Sequence, residues 1–302
     1  MISVVASGLL AALIVMGCGA ADGDPRDPPS GDQPTPKPNA QNTGPRLDIT
    51  RTLTPDAAIA ELRETGRLSG VLIDGLLRLS GTDGCGWVIE DSVIHAGMYG
   101  IQAYVSLDPF DCPSGDRPVF DHVRIIGRGA RGAEGDTSAL FYGHDTILRH
   151  ADLYGGVDGL KVSSRVEVFA SYVHGLHHPE GSHVDAIQIR SGSDSLLHWN
   201  FFDARVAYGT NVGANGSGGL QTGSVSGPIE RIVFRDNWWN GGHYTIRMGG
   251  RDEPIDYQFR NNKHGRDFTY GPTTGCSSCP FSGGGVRYDD SNVWEDTGAP
   301  VL

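Results

Sequence analysis

Trp199-Asn200-Phe201-Phe202-Asp203 sets a polar residue at a bend before an alternating apolar run, and this phrase recurs along the chain. Repeats about 20 to 37 residues apart, with extra length in Gly- and Ser-rich stretches, are typical of a solenoid whose insertions emerge on one face. Period-two alternation, as in residues 229–234, indicates coils of strands. The repeat therefore predicts an all-β fold, a single-stranded parallel β-helix. The six further copies of the phrase are residues 91–95, 121–125, 150–154, 170–174, 236–240 and 261–264.

Length and charge limit the kinds of protein that this chain can be. It has 302 residues and one composition after residue 47, which predicts a single β-helix domain over residues 48–302. Its 44 glycines suit many tight bends around a narrow interior. The formal net charge of −12, without a run of Lys and Arg, argues against a nucleic-acid partner.

The N-terminus has the features of an export signal. Residues 1–17 are apolar and uncharged, too short for a comfortable membrane span, and they end at a Val15-Met16-Gly17-Cys18 segment that resembles a bacterial lipobox. This predicts a signal peptide over residues 1–17 and Cys18 as a lipidated mature N-terminus. Val15 stands where Leu is usual, and no Lys or Arg precedes the apolar run, so an ordinary cleaved signal and an uncleaved anchor remain alternatives. All three predict an exported protein, either a cell-surface or periplasmic lipoprotein or a secreted one.

Residues 18–47 are rich in Pro, Asp, Gly and Asn and bury little apolar surface, so we expect a disordered tether. Its lipid anchor would be the chain's only contact with a membrane, and we expect a monomer. The helix signals that follow, Thr54 as N-cap, Pro55 at the first turn and Gly66 as stop, predict a cap helix at about residues 54–66. Such a helix would cover the exposed end of the first coil.

Four cysteines remain when Cys18 is set aside. In an oxidising compartment an even number favours disulfides. Cys85 and Cys112 are about one coil apart, which suits a bridge between neighbouring coils. Cys276 and Cys279 are interpreted as a local loop-closing pair, because no second pair of metal ligands and no thioredoxin-like context accompanies them. The connectivity stays open.

Aligning the coils places Asn200, Asn237 and Asn262 at one position, with Ser92 and Ser171 there in earlier coils. An asparagine at a bend with left-handed backbone can bond to its equivalent in the next coil. We therefore interpret these residues as a structural ladder and not as a functional site.

A second strand also aligns between coils, and it carries a polar stripe. Its apolar members, Ile101, Leu160, Ile187, Leu220 and Ile246, are expected to point inward. The residues that follow them are then expected to form one outward stripe: Gln102, Lys161, Gln188, Gln221 and Arg247.

The phrase His183-Val184-Asp185-Ala186-Ile187-Gln188, followed by Ser191-Gly192-Ser193, resembles a segment common in right-handed parallel β-helix proteins of the pectate-lyase-like superfamily. The similarity extends from about residue 68 to the end, and the repeats in it mostly specify architecture. This fold hosts lyases, hydrolases, epimerases, esterases and tailspikes, so it does not by itself choose a reaction.

The resemblance implies a polysaccharide lyase that cleaves a uronate-containing glycan by β-elimination. Such chemistry needs a base for the proton α to the carboxylate and a cation that stabilises the resulting charge. Lys161 or Arg190 is the expected base, and Arg247 or a Ca²⁺ held by Asp158 and Asp185 is expected to neutralise the carboxylate. The full set of candidates comprises Lys161, Arg190, Arg247, His183 and Asp185 as catalytic residues, Gln188, Gln221, Trp239 and Tyr244 as substrate-binding residues, and Asp158 with Asp185 as possible calcium ligands.

Each candidate also has a purely structural interpretation. Lys161 and Arg247 can be solvated charges paired across coils. Asp158 and Asp185 can start their strands with Asx-type bends. Of the Trp238-Trp239 pair at least one must face the core, and packing under a loop is an alternative to stacking on a sugar. A transition-metal site formed by His174, His177, His178 and His183 is disfavoured, since their spacing gives no helical pair.

Two other functions stay open at this level. A glycoside hydrolase would use Asp158 and Asp185, because coil stacking brings equivalent carboxylates near the roughly 5 Å of retaining enzymes. A non-catalytic glycan-binding or structural surface protein would use the same anchor and tether for display, with the Gly-rich stretch of residues 209–226 shaping a recognition surface.

Overall fold

Three long parallel sheets dominate the computed structural model. It describes residues 36–79, 84–95, 103–107, 112, 116–132, 139–223, 227–248, 256–274 and 285–302. Contacts divide the chain into two compact units, residues 1–32 and residues 33–302, and the first unit lies outside the described residues. Everything below concerns the second.

Within the described residues, sheet 1 has ten strands, sheet 2 nine and sheet 3 eight. The strands of sheet 1 are Arg51–Leu53, Val71–Asp74, Val93–His95, Arg124–Ile126, Asp152–Tyr154, Tyr172–His174, Phe201–Asp203, Trp238–Asn240, Lys263–His264 and Val293–Trp294. Those of sheet 2 are Arg67–Ser69, Val88–Glu90, Val119–Asp121, Ile147–Arg149, Glu167–Phe169, Gly192–His198, Ile229–Arg235, Tyr257–Arg260 and Val286–Tyr288. Those of sheet 3 are Leu77–Leu79, Ala103–Leu107, Ala139–Gly143, Asp158–Val162, Asp185–Ile189, Gly218–Thr222, Tyr244–Met248 and Gly271–Thr274. A small parallel pair joins Leu176–His178 to Val206–Gly209, and Gly129–Arg131 forms a 3₁₀ turn.

Every pairing in the three sheets is parallel, and each coil contributes a strand to successive sheets. Phe201, for example, pairs with Tyr172 on one side and Trp238 on the other. This confirms the predicted parallel β-helix. The seven repeated phrases coincide with seven strands of sheet 1, and the strands at residues 51–53, 71–74 and 293–294 lack the phrase.

The core is a continuous column of apolar side chains along the solenoid axis. Ile125, Leu153, Val173 and Phe202 stack at equivalent inward positions of sheet 1 and are completely buried. Burying each such side chain contributes about 1.5 to 3 kcal/mol, so stacking of equivalent residues is the main source of stability.

The predicted cap helix is confirmed as α1, Pro55–Thr65. The Thr54 hydroxyl accepts a hydrogen bond from the Ala57 N–H, and Gly66 ends the helix in left-handed backbone with its N–H donating to the Leu62 carbonyl. Ala58 and Leu62 are completely buried and belong to the core. The helix therefore covers the apolar interior of the first coil, as its sequence predicts.

The asparagine ladder is also confirmed, and it extends one coil further than predicted. The side-chain oxygens of Asn200, Asn237, Asn262 and Asn292 each accept the backbone N–H of the preceding ladder residue at 2.9 to 3.2 Å. Their amide groups donate to main-chain carbonyls in the sheet 2 strand of the preceding coil, as from Asn237 to the Leu197 carbonyl at 2.8 Å. All four are completely buried, so the ladder satisfies polar groups that would otherwise be stranded in the core.

The left-handed backbone lies one residue before the ladder. Ala170, Trp199, Asp236 and Asn261 have φ between 49° and 58°, whereas the ladder residues that follow them do not have positive φ. The expectation that the ladder asparagines themselves adopt this conformation is therefore wrong. Asparagine is used there for its amide and not for its backbone freedom.

Residues 36–47 pack on the solenoid, which corrects the predicted boundary of the tether. The Lys37 ammonium lies 2.9 Å from the Glu295 carboxylate, and the Arg46 guanidinium bonds the buried Asp91 carboxylate at 2.7 Å. Ion pairs hold this stretch even though it buries little apolar surface. The packed domain begins at about Lys37 and not at residue 48, and residues 18–35 lie outside the described residues.

Cys85 and Cys112 form a disulfide, as their one-coil separation suggested. The predicted Cys276–Cys279 pair lies outside the described residues. Among the described residues, no helix has the length and apolar character needed to cross a membrane.

Candidate functional site

The outer stripe of sheet 3, consisting of Lys161, Gln188, Gln221 and Arg247, has the register that the sequence predicts. Each residue pairs with the next on adjacent coils. Three intervals of about 4.8 Å give the stripe a length of about 14 Å, enough for roughly three sugar units. A cationic side chain stands at each end and two amides lie between them.

The predicted alignment of sheet 3 is wrong for the strand Ala103–Leu107, which precedes residue 139. Ser106, and not Gln102, is level with Tyr142 and Lys161, because Ala103 pairs with the first residue of the next strand. A period-two pattern fits equally well when it is shifted by an even number of residues, so alternation alone could not separate the two registers. Residues 100–102 lie outside the described residues.

Lys161 is paired with Asp158 at the start of the same strand. The ammonium nitrogen lies 3.5 Å from a carboxylate oxygen, and the two side chains are 18% and 8% exposed. The Asp158 carboxylate is therefore shielded from solvent, whereas the Lys161 side chain is partly exposed. Lys161 can contact a ligand that lies along the stripe.

Asp158 and Asp185 occupy equivalent positions on neighbouring coils. The Asp185 N–H donates to an Asp158 carboxylate oxygen at 3.1 Å. Asp185 is 1% exposed, and within the described residues neither oxygen of its carboxyl group has a hydrogen-bond partner of good geometry. Gly218 stands at the next equivalent position, where a Cβ would lie 3.2 Å from an Asp185 oxygen. The glycine thus leaves room for the buried carboxyl group.

Burial raises the pKa of Asp185 well above its usual value, and the negative charge of Asp158 raises it further. The charges of Arg247 and Lys161 oppose this, and so does the Gln188 amide, although it forms no hydrogen bond of good geometry with the carboxyl group. Burial also raises the pKa of Asp158, against the Lys161 charge and the Asp185 N–H. Of the two carboxyl groups, Asp158 is the one whose ionisation the Lys161 ammonium group and the Asp185 N–H favour, and the charge of Asp158 makes ionisation of Asp185 harder.

His183 lies at the edge of this group. Its Nδ1 is 3.3 Å from the Ser217 hydroxyl, and its charge lowers the pKa of Asp158. The other nearby histidines have different partners: His174 bonds Asp152 on sheet 1, and His178 contacts Thr210.

Two of the remaining candidates flank the stripe. Arg190 follows the strand Asp185–Ile189 directly, is exposed, and forms no ion pair within the part of the chain that the structure describes. Tyr244 is half-buried, and its ring lies 5.6 Å from that of Tyr270, which is 66% exposed. Tyr270 is a further aromatic surface beside the site that the set of candidates omits.

Gln221 donates its side-chain amide to the Thr222 carbonyl, at 3.0 Å. Its side chain is half-buried, and the amide is turned toward its own backbone. A ligand would have to share or displace this bond.

Trp239 does not reach the stripe, and the prediction that it binds substrate is wrong. It is 1% exposed, packs against Phe202 and Phe234, and donates its indole N–H to the ladder residue Asn262. Alternation turns its neighbour Trp238 to the other side of sheet 1. Period-two alternation predicted only that at least one of the two tryptophans faces the interior.

Asp158 and Asp185 do not fit a calcium site. Ca²⁺ takes six to eight oxygen ligands. Here one carboxylate is already paired with an ammonium group and the other is buried with a proton favoured on it. Among the described residues, neither belongs to a group of three or more metal-ligating side chains. We therefore assign no step to a cation at this pair.

No protein-family model matches the chain, and no curated protein is significantly similar to it.

Proposed function

We propose that the protein is a carbohydrate-active enzyme, a polysaccharide lyase that binds an acidic glycan along the outer stripe of sheet 3 and cleaves it by β-elimination. The observation that carries the proposal is a polar stripe with a cation at each end, beside a buried pair of carboxyl groups that together favour a single negative charge. The motif around Asp185 supports membership of the pectate-lyase-like superfamily, as part of the same proposal.

The buried acid pair makes the stripe suitable for an anionic substrate. Two ionised carboxylates beside Lys161 would repel a uronate. Burial and the Asp158 charge raise the pKa of Asp185 and so disfavour a second negative charge; the charge of Asp158 is matched by the Lys161 ammonium group, and Arg190 and Arg247 attract the substrate.

Lys161 is the proposed base. Its ammonium group, paired with Asp158 in the free protein, first gives its proton to solvent; the amine then takes the proton α to the uronate carboxylate and is again held by Asp158 as an ammonium group. Arg247, with Arg190, bonds the carboxylate on which negative charge develops. His183, exposed beside Asp158, is the proposed donor of a proton to the leaving glycosidic oxygen.

A panel of polysaccharides tests the reaction type. The purified protein is incubated with alginate, pectate, glucuronan and neutral glycans, with Ca²⁺ or with chelator, and the ultraviolet absorbance of unsaturated uronate ends is followed. We expect absorbance to grow on at least one uronan. Reducing ends from a neutral glycan, with no absorbance on any uronan, would contradict the lyase.

Matched variants test the site. Lys161→Ala should lower the turnover rate about 10³-fold, within the range for removal of a general base. Lys263→Ala is the control, because Lys263 is an exposed lysine of sheet 1 that lies over the Trp238 ring. Equal turnover of the two variants would exclude Lys161 as the base.

A glycoside hydrolase is the second candidate, and the raised pKa of Asp185 specifically favours it. A protonated carboxyl group next to an ionised one is the arrangement of a general acid with a nucleophile or base. In that case Asp158→Asn and Asp185→Asn should each abolish release of reducing ends, and no unsaturated product should form.

Export through a lipid anchor is part of the same proposal. The segment before Cys18 supports it, and the negative net charge and acidic substrate are compatible with an extracellular site of action. Expressed in a bacterial host, the chain should partition into detergent, and Cys18→Ala should move it to the aqueous phase. Equal partitioning of both would argue against lipidation.

A further inference from the structure

A histidine pair on the opposite part of the solenoid, at the bend between sheets 2 and 1, converges on one carboxylate oxygen. The Nδ1 atoms of His122 and His150 lie 2.8 and 2.9 Å from the same oxygen of Asp121. The two imidazole rings are stacked with centroids 4.3 Å apart. Asp121 and His122 are adjacent in sequence, and His150 comes from the next coil.

The backbone and neighbouring side chains hold this cluster in place. His122 and His150 occupy the same bend position in consecutive coils, each with φ of 51°, which aligns their side chains. The Arg149 guanidinium binds the second Asp121 oxygen at 3.1 Å, leaving the first oxygen to the imidazoles. Phe169 packs edge-on against His150. The His122 N–H donates to the Arg149 carbonyl at 3.0 Å, so each residue of the cluster has a supporting contact outside it.

The cluster is also accessible. The side chains of Asp121, His122 and His150 are 14%, 15% and 30% exposed, so an ion can enter and a water molecule can complete its coordination. In the part of the chain that the structure describes, these three residues form the only group of three or more His, Cys, Asp or Glu whose ligand atoms all lie within 4.8 Å of one another.

We propose that Asp121, His122 and His150 bind a divalent transition-metal ion of the Zn²⁺ type, through the two Nδ1 atoms and one carboxylate oxygen, with water as the fourth ligand. Two imidazoles and a carboxylate suit Zn²⁺ and its neighbours, whereas Ca²⁺ and Mg²⁺ prefer oxygen ligands alone. The ion takes the place of the two Nδ1 protons that otherwise point at the Asp121 oxygen; each neutral imidazole then carries its ring proton on Nε2, so both ligands stay neutral.

Metal binding requires the ligand atoms to move apart and the two stacked rings, now at an interplanar angle of 25°, to turn toward a common point. Ligand atoms of tetrahedral zinc are roughly 3.3 Å apart when the bonds are about 2.0 Å long. Each imidazole nitrogen would therefore move away from the Asp121 oxygen by about half an ångström. Arg149 would orient the carboxylate from outside, in the manner of supporting residues around metal ligands. The ion would join the coil that contains Asp121 to the coil that contains His150.

Asp152 provides a matched control within the same protein. Its carboxylate bonds His174 through one oxygen, at 2.8 Å, and Arg124 through the other, at 2.7 Å. This reproduces the aspartate, arginine and histidine of the proposed site but contains a single imidazole. His174→Asn should therefore leave metal binding unchanged.

The test is a Co²⁺ titration of the full chain, purified without a polyhistidine tag, with visible absorbance as the readout. We expect one equivalent to give a band typical of four-coordinate cobalt with nitrogen and oxygen ligands. His122→Asn and His150→Asn should weaken binding by more than about 100-fold, beyond the loss expected for a merely supporting residue. Asparagine is chosen because it tolerates the left-handed backbone. Zn²⁺ should raise the melting temperature of the parent chain and of His174→Asn only.

Asp121→Asn keeps the shape and a hydrogen-bond acceptor but removes the charge, and it should also weaken binding. Circular dichroism establishes that each variant is folded before titration. The proposal is overturned if the parent chain gives no band, if the band persists in all three variants of the cluster, or if a thiolate-to-cobalt band in the near ultraviolet places the ion on Cys276 and Cys279.

Discussion

Asp185 is the residue at which local chemistry departs most from what the scaffold requires. A fully buried solenoid position is normally aliphatic, and a buried carboxyl group without a hydrogen bond costs free energy. The neighbouring Gly218 makes room for it, and Asp158 makes its ionisation harder still. Such a group is retained at a cost to stability, and this is the pattern expected of a functional residue.

The raised pKa of Asp185 predicts how the stability of the protein changes with pH. Because the folded pKa of Asp185 is raised, the folded state keeps this proton to a higher pH than the unfolded state does, and the free energy of unfolding falls as pH rises above the unfolded pKa of about 4. Asp185→Asn stays neutral, so its stability relative to the parent chain should increase over that range. Denaturant unfolding at several pH values measures the difference.

Asp121 supplies a control of opposite sign. Hydrogen bonds from His122 and His150, with the Arg149 charge, outweigh burial and lower its pKa. Its contribution is present above its unfolded pKa and is lost as pH falls. Asp121→Asn should therefore be less stable than the parent chain at neutral pH, by a margin that shrinks in acid. A similar pH trend in both variants would contradict the assignment of Asp185 as the protonated group.

The ladder makes a second prediction at the level of single residues. Asn237→Ala would leave the Leu197 carbonyl and the Asn200 backbone and side-chain donors without their partner. With buried polar groups costing about 1 to 3 kcal/mol each when unsatisfied, we expect a loss of about 3 kcal/mol in the free energy of unfolding. Asn211→Ala, at an exposed site, should change it by less than about 0.5 kcal/mol. If the two variants lose the same free energy of unfolding, the ladder does not contribute to the stability of the fold.

Helix ends, which particular residue types mark locally, were predictable from the sequence. The alignment of a strand was not predictable where apolar–polar alternation was its only signal. Helix α1 was predictable because Thr54, Pro55 and Gly66 each have a definite role at a helix end. The strand Ala103–Leu107 was misaligned by four residues because alternation repeats every two. Trp239 was misassigned because adjacent tryptophans look alike until the inward face is known.

The cap helix gives the prediction at this scale. Leu62 is a residue of α1 and its side chain is completely buried. Leu62→Ala should therefore lower the free energy of unfolding by about 3 kcal/mol, through lost burial and the cavity left behind. Glu64→Ala, on the exposed side of the same helix, should have little effect. If Leu62→Ala is as stable as Glu64→Ala, α1 does not protect the first coil.

For the molecule as a whole, the repeat predicted the β-helix and the register of the outer stripe, because stacking identical coils leaves little freedom once the inward residues are known. The electrostatic state of the site could not be predicted in this way. It depends on how deeply Asp185 is buried and on the 3.5 Å contact between Lys161 and Asp158, and neither follows from period or composition. The packing of residues 36–47 was also missed, because ion pairs to distant coils leave no local pattern.

The proposed role of Lys161 in the outer stripe is to remove a proton from a uronate. The most direct measurement is the time course of unsaturated-uronate absorbance on the most reactive uronan, for the parent chain, Lys161→Ala and Lys263→Ala at equal concentration. We expect the absorbance to rise steadily for the parent chain and for Lys263→Ala. For Lys161→Ala we expect a rate about 10³-fold lower. Equal rates for all three, or no rise on any uronan with the parent chain, would contradict it.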